Sequence, residues 1–132
     1  MIPGAEFHHI GVACRSFLSE QPRFEALGYR QEGIDAFDPV QNVQVRFLIG
    51  GGPRVELVCG DGPSGPLAPW LKSGAKMYHL AYLVDRMSEA VAFLSGQGAK
   101  LIVPPVPAAA FAGRKIAFVM LPNLLLVELI EK

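Results

Sequence analysis

Short apolar runs alternate along the chain with segments whose apolar residues recur at helical spacing. Eight strands are predicted, over residues 7–14, 29–36, 43–49, 54–59, 77–84, 100–103, 115–120 and 124–130. Amphipathic helices are predicted over 18–27 and 87–98, each closed by a glycine, and a short helix over 67–72. Pro22 is expected near the first turn of its helix. The predicted order is therefore β-α-β-β-β, twice.

The two halves also match in their residues. FHHIGVA aligns with MYHLAYLV by placing His9 on His79, 70 positions later, and RVELV aligns with LVELI by placing Glu56 on Glu128, 72 positions later. A repeat that matches in topology and in its polar exceptions indicates duplication of one unit.

The boundaries of the duplicated units follow from the same alignment. The first βαβββ module is predicted at 1–63 and the second at 77–132. A connector with a short helix is predicted between them, at 64–76. Both modules are expected to form one compact domain, because the chain is short and about half of it is apolar.

The four matched polar residues all lie in apolar strands, where a bare carboxylate costs several kcal/mol. Two imidazoles and two carboxylates suit a divalent ion such as zinc, nickel, cobalt, manganese or iron(II). The sequence therefore predicts one divalent metal ion held by His9, Glu56, His79 and Glu128. Taken singly, each histidine could instead be a hydrogen-bonded core residue, and each glutamate could face solvent at a strand end or pair with Arg54 or Arg114.

Composition narrows the function classes. Acidic and basic residues balance at 12 each, and no basic stripe occurs, so nucleic acid is not an expected partner. The sequence contains no signal-like start, cationic amphipathic helix or membrane-spanning run, which predicts a cytoplasmic protein with no membrane partner. Cys14 and Cys59 are predicted to be reduced, mostly buried thiols, although a disulfide remains an alternative.

The segments FHHIGVA, VELV, YHLAYLVD and GRKIAFVMLPNLLLVELIE resemble the glyoxalase and methylmalonyl-CoA epimerase branch of the vicinal oxygen chelate (glyoxalase/bleomycin resistance/dioxygenase) superfamily. The resemblance implies an α+β fold in which two tandem βαβββ modules form a cupped, partly closed mixed sheet around a metal site. Carried over by position, the family's metal ligands fall on the same two histidines and two glutamates. The resemblance also implies a homodimer, because modules of this family often pair across subunits.

By the same resemblance, the protein is expected to be a metal-dependent epimerase, isomerase or glyoxalase-like lyase. Such an enzyme acts through a metal-stabilised enolate of a small carbonyl or thioester substrate. Glu128 is the first candidate for the catalytic base and Glu56 is the symmetric alternative. Two departures concern the epimerases: PVQNV (39–43) lacks their P-E-H-G-V glutamate, and LPN (121–123) replaces their longer H-P-K loop.

Three other functions remain open at this stage. A dioxygenase of the same fold uses two histidines and one glutamate, and Glu56 argues against it by filling a further coordination position. A non-catalytic, antibiotic-type binding protein usually lacks the full ligand set. The metal could also be purely structural. The small-residue segment 104–114 is interpreted as either a lid or a plain surface loop.

Overall fold

The β-α-β-β-β order occurs twice across residues 1–60 and 65–132, which are the residues described by this computed structural model. The predicted end of the first module at 63 and the start of the connector at 64 lie outside the described residues. The strands are β1 Glu6–Cys14, β2 Arg30–Asp38, β3 Val43–Ile49, β4 Val55–Cys59, β5 Met77–Val84, β6 Lys100–Pro107, β7 Lys115–Met120 and β8 Leu126–Glu131. The helices are α1 Phe17–Glu25, α2 Ala68–Ser73 and α3 Met87–Gly96, with a short 3-10 helix at Ala109–Phe111.

The strands are ordered β2-β3-β4-β1 in the first half of the chain and β5-β8-β7-β6 in the second, and their pairing is mixed. β1 pairs in parallel with β4, and β5 pairs in parallel with β8. The pairs β2–β3, β3–β4, β6–β7 and β7–β8 are antiparallel. The predicted α+β class, with two βαβββ modules contributing to a mixed sheet, is confirmed.

Backbone contacts divide the chain into two compact units. One comprises His9–Tyr78, and the other joins Met1–His8 to His79–Lys132. They are called here the first and the second unit. The module limits drawn from the sequence, 1–63 and 77–132, stay a prediction.

Each unit has its own core between one sheet face and one helix. In the first unit, the buried core residues are Val12, Cys14, Leu48, Val55 and Leu57, with Phe17 and Phe24 of α1 packed on them. In the second unit, residues of α3 pack on β7 and β8; the buried set is Val84, Met87, Ala90, Leu94, Ala99, Ala117, Val119, Val127 and Leu129. Successive side chains of a strand point to opposite sheet faces, so the residues that alternate with these core residues point to the face away from the helix.

α1 begins earlier than the sequence pattern indicates. Ser16 is its N-cap, and the backbone N–H of Ser19 donates to the Ser16 hydroxyl at 3.2 Å. The expectation that Pro22 lies near the first turn is therefore wrong, because Pro22 is the sixth helical residue. α1 is a partly exposed helix with no buried residue, so the hydrogen bond that a proline removes is lost at the surface.

Segment 104–114 is only partly the loop that its composition suggests. Its first residues, 104–107, extend β6, and a 3-10 helix follows at Ala109–Phe111. β6 is the last strand in the sheet order, and an edge strand tolerates proline because one side of its backbone needs no hydrogen-bond partner. Among residues 1–60 and 65–132, no helix has the length and apolar character needed to cross a membrane.

Candidate metal site

The first unit brings together one histidine and one glutamate. In the parallel pair β1–β4, Gly11 is the partner of Glu56. Partner residues point to the same sheet face, and His9 lies two residues before Gly11, so His9 and Glu56 share that face. Gly11 has no side chain and leaves room between them. His9 Nε2 lies 3.5 Å from Glu56 Oε1, with the two residues 0% and 4% exposed.

The second unit repeats this arrangement. Ala81 of β5 is the partner of Glu128 of β8, and His79 lies two residues before Ala81. The smallest side chain after glycine therefore stands where Gly11 stands in the first unit. His79 Nε2 lies 3.3 Å from Glu128 Oε2, and the residues are 2% and 3% exposed. The internal repeat thus extends from topology to strand register and side-chain geometry.

Each pair has an aromatic neighbour that the sequence analysis missed. Phe47 of β3 is the strand partner of Glu56, and Phe118 of β7 is the partner of Glu128. The Phe47 ring meets His9 edge to face at 5.4 Å between centroids, and the Phe118 ring meets His79 in the same way at 5.3 Å. These apolar rings shield the imidazoles from water. Aligning QVRFLI with KIAFVM, 71 residues apart, would have revealed them.

Each unit thus offers one imidazole nitrogen and one carboxylate oxygen as candidate metal ligands. Imidazole nitrogen and carboxylate oxygen are suitable ligands for borderline divalent ions. A metal would also offset the cost of burying the carboxylates. The donor set therefore fits the predicted ion, and its assignment to these residues stays a prediction.

Arg54 and Arg114, the two arginines that could have paired with the buried glutamates, make hydrogen bonds to other groups. The Arg54 guanidinium donates to both carboxylate oxygens of Glu32, at 2.8 and 3.2 Å. Arg114 Nε donates to the backbone carbonyl of Phe111 at 3.3 Å. Arg54 is thus bound to a residue of β2, and Arg114 to the 3-10 helix that precedes it.

The segment that lacks the epimerases' glutamate does have a buried carboxylate immediately before it, which the sequence analysis also missed. Asp38 is 2% exposed. Its carboxylate accepts the backbone N–H groups of Val40 and Gln41 at 2.9 and 3.1 Å, and the Gln41 side-chain amide at 3.0 Å. This pattern closes the turn between β2 and β3, so Asp38 has a structural role. The short LPN segment forms the turn between β7 and β8, where the Leu124 N–H donates to the Leu121 carbonyl at 2.9 Å.

Comparison with known proteins places the chain in a family. The model of the glyoxalase/bleomycin resistance protein/dioxygenase superfamily matches residues 8–118. The match covers most of the chain and includes three of the four candidate ligands. The protein belongs to this superfamily.

The chain is also similar to individual proteins over nearly its whole length. A Bacillus subtilis (strain 168) protein, uncharacterized protein YqjC, is 33% identical over 130 residues, spanning 93% of this chain and 89% of the relative. A solved structure of hypothetical protein BH1468 from Bacillus halodurans C-125 matches with a TM-score of 0.79 at 27% identity, covering 98% and 95% of the two chains. Streptomyces coelicolor methylmalonyl-CoA epimerase in complex with 2-nitronate-propionyl-CoA matches with a TM-score of 0.77 at 20% identity, covering 96% of each chain. At that identity, the likeness to the epimerase shows the fold.

Proposed function

We propose that this protein is a metal-dependent epimerase or isomerase that moves a proton beside the carbonyl group of a small carbonyl or thioester substrate. The observation that carries the proposal is the pair of buried histidine–glutamate contacts at matching register, 3.5 Å in one unit and 3.3 Å in the other. Two buried carboxylates at matching register, each beside an imidazole, form a donor set that a divalent ion can bind. Duplication of both donors therefore favours a ligand-binding role.

His9, Glu56, His79 and Glu128 would hold one divalent ion in this proposal. When bound, the ion supplies Lewis-acid stabilisation of the negative charge that develops on substrate oxygens as a neighbouring carbon loses its proton. The histidines fix the donor set, since each imidazole is buried and held edge-on by a phenylalanine ring.

The glutamates perform the proton transfer. Glu128 in its carboxylate form takes the proton from the substrate carbon, and Glu56 in its protonated form gives a proton to the opposite face of the planar carbanion. Proton exchange with water, or turnover in the reverse direction, then restores the two groups. A positioned general base of this kind contributes about 10²- to 10⁴-fold to rate. Two carboxylates from equivalent strands suit this exchange of faces. Asp38 is already bound by three donors of its own turn, which leaves the two strand glutamates as the favoured acid/base pair.

A thioester is the first substrate class to test. The support is the structural likeness to an epimerase that was solved with 2-nitronate-propionyl-CoA. A small 2-hydroxy ketone is the second class, since it also presents two neighbouring oxygens to one ion. A glyoxalase-like lyase reaction would begin with the same proton abstraction, so one assay covers both outcomes.

The test is exchange of the substrate α-proton in deuterated water, followed by NMR with methylmalonyl-CoA and with acetoin. Protein loaded with zinc, cobalt, nickel or manganese is expected to exchange the proton of at least one probe. Glu128→Gln and Glu56→Gln are expected to lower the rate by about 10²-fold or more. The control is Glu89→Gln, a change at an exposed glutamate of α3. Stoichiometric metal without exchange of either probe would contradict the enzymatic proposal and favour a binding or structural role.

The proposal includes a homodimer. Its support is the family assignment together with large apolar side chains at the surface, among them Ile34 of the edge strand β2, which is 90% exposed, and Ile102 of β6, which is 52% exposed. Light scattering coupled to gel filtration is expected to give twice the mass of the chain. A monomer mass at micromolar concentration would contradict this part of the proposal.

A further inference from the structure

The two cysteines lie opposite each other in the first unit. Cys14 is the last residue of β1 and Cys59 the last residue of β4, and they are partners in the parallel register. Their sulfur atoms are 2.9 Å apart, which is closer than ordinary van der Waals contact and makes the pair a thiol–thiol hydrogen bond. Neighbouring strands are about 4.8 Å apart. That spacing lies within the Cα separation of about 4.4 to 6.8 Å that a disulfide requires.

The two thiols differ in access. Cys14 is fully buried in the core beneath α1, whereas Cys59 is half-buried. Cys59 lines a cavity of about 280 Å³ together with Arg15, Gln44 and Gly60. Cys59 is therefore the cysteine of the pair that lies beside the cavity, and Cys14 contacts it from the protein interior.

The pKa values of the two cysteines are also shifted in opposite directions. The hydrogen bond with Cys14 lowers the pKa of Cys59, and Arg46 acts in the same direction, while burial and the negative charges of Glu20 and Asp35 oppose this shift. The same hydrogen bond, together with burial, raises the pKa of Cys14. Because Cys59 is the more exposed sulfur of the hydrogen-bonded pair, it is the one placed to react as the thiolate, with Cys14 beside it. A thiolate is the form of cysteine that attacks peroxides.

We propose that Cys14 and Cys59 form a peroxide-reactive dithiol, with Cys59 as the attacking cysteine and Cys14 as the resolving cysteine. Neither residue is among the candidate metal ligands, and the reaction does not require the proposed activity. The site is a point of reversible oxidation at the carboxyl ends of the two strands that carry His9 and Glu56.

The reaction balances with hydrogen peroxide as the oxidant. The Cys59 thiolate attacks one peroxide oxygen, the O–O bond breaks, and Cys59 becomes a sulfenic acid while hydroxide leaves and is protonated to water. The Cys14 sulfur then attacks the Cys59 sulfur, the S–O bond breaks, and a second water leaves with the Cys14 proton. In sum, two thiols and one peroxide give one disulfide and two waters. A dithiol reductant reverses the oxidation by thiol–disulfide exchange.

The experiment treats zinc-loaded protein with a small excess of hydrogen peroxide and follows it by intact-mass and peptide mass spectrometry. The expected product has lost two hydrogen atoms, contains a peptide linked through Cys14 and Cys59, and returns to the starting mass with dithiothreitol. Its formation is expected to be at least about ten-fold faster than peroxide oxidation of free cysteine at pH 7, because of the larger thiolate fraction. Protein that keeps both thiols, or that forms only chain-to-chain links, would overturn the proposal.

Two single variants assign the roles. Cys14→Ser is expected to stop at the Cys59 sulfenic acid, which dimedone traps as one adduct per chain. Cys59→Ser is expected to give no adduct and to react with peroxide at least about ten-fold more slowly, because Cys14 is buried and its thiol is protonated. Trapping on Cys14 instead would refute the assignment. His9→Ala, which disrupts the candidate metal site, is expected to leave disulfide formation unchanged, so that failure of one proposal is distinguishable from failure of the other.

Discussion

Replacing Glu128 by glutamine should have effects of opposite sign with and without metal. Glu128 is 3% exposed and lies within the apolar strand β8, with His79 Nε2 3.3 Å away. Burial of an ionised carboxylate costs several kcal/mol, whereas glutamine has the same shape, carries no charge and can still hydrogen-bond the imidazole. In metal-free protein, Glu128→Gln is expected to stabilise the fold by about 1 to 3 kcal/mol, because it removes the buried charge and keeps a group that hydrogen-bonds the imidazole.

With saturating metal, the wild-type protein should become at least as stable as the Glu128→Gln variant. An ion at 100 times its Kd stabilises the wild-type fold by about 2.7 kcal/mol, and the variant should lose most of this gain because a neutral amide is a poorer ligand than a carboxylate. For a chain of this length, 1 kcal/mol corresponds to roughly 3 to 5 °C in Tm. The variant should therefore melt a few degrees above wild type in a chelator and at or below wild type in saturating zinc.

The assay is thermal and urea unfolding of both proteins in a chelator and in saturating zinc. Glu89→Gln is the control, since this surface glutamate pairs with Arg86 in solvent and should change stability by less than about 0.5 kcal/mol in either condition. The reasoning is refuted if Glu128→Gln destabilises the metal-free protein and zinc then raises the stability of both proteins equally.

Three further changes test the fold in turn. Leu129→Ala removes a fully buried side chain from the core of the second unit and should lower the free energy of unfolding in urea by about 2 to 5 kcal/mol. Ser16→Ala removes the N-cap of α1 and should cost about 1 kcal/mol in the same measurement; no loss would show that the cap is unimportant. Arg46 holds the pKa of Asp35 below its ordinary value of 3.8 through hydrogen bonds, so this carboxylate stabilises the fold above that pH and the stabilisation is lost as pH falls through the lowered pKa. Asp35→Asn should therefore show a shallower loss of stability below about pH 4, and an unchanged acid-unfolding curve would contradict this.

The sequence predicted most of the secondary structure because the two periodicities are distinct in this chain. β5 has the predicted bounds, and the strand at 7–14 differs from β1 by one residue. The internal repeat also helped to locate strands, because His79 lies in a strand equivalent to the one that contains His9. The errors occur where tertiary context overrides local composition. Prolines usually exclude a strand, yet 104–107 belongs to β6 because that strand lies at the sheet edge.

The sequence predicted the donor residues of the candidate site, but it did not predict the residues that surround them. His9 and Glu56 are polar residues in otherwise apolar strands, and that contrast can be recognised in the amino-acid sequence alone. Phe47 and Phe118 look like ordinary core residues until the register places each beside a glutamate. Asp38 looks like a surface turn residue, and only the three donors around its carboxylate explain its burial.

Metal content of tag-free protein, measured by mass spectrometry beside His9→Ala and Glu128→Ala, tests the central claim most directly. These variants remove one donor from each unit. The account predicts close to one ion per chain in the wild-type protein and less than about a tenth of that in either variant, because a single shared ion needs donors from both pairs. Wild-type protein that stays metal-free after incubation with zinc, nickel, cobalt and manganese would contradict it. Two ions per chain, with each variant losing only one, would contradict the shared site.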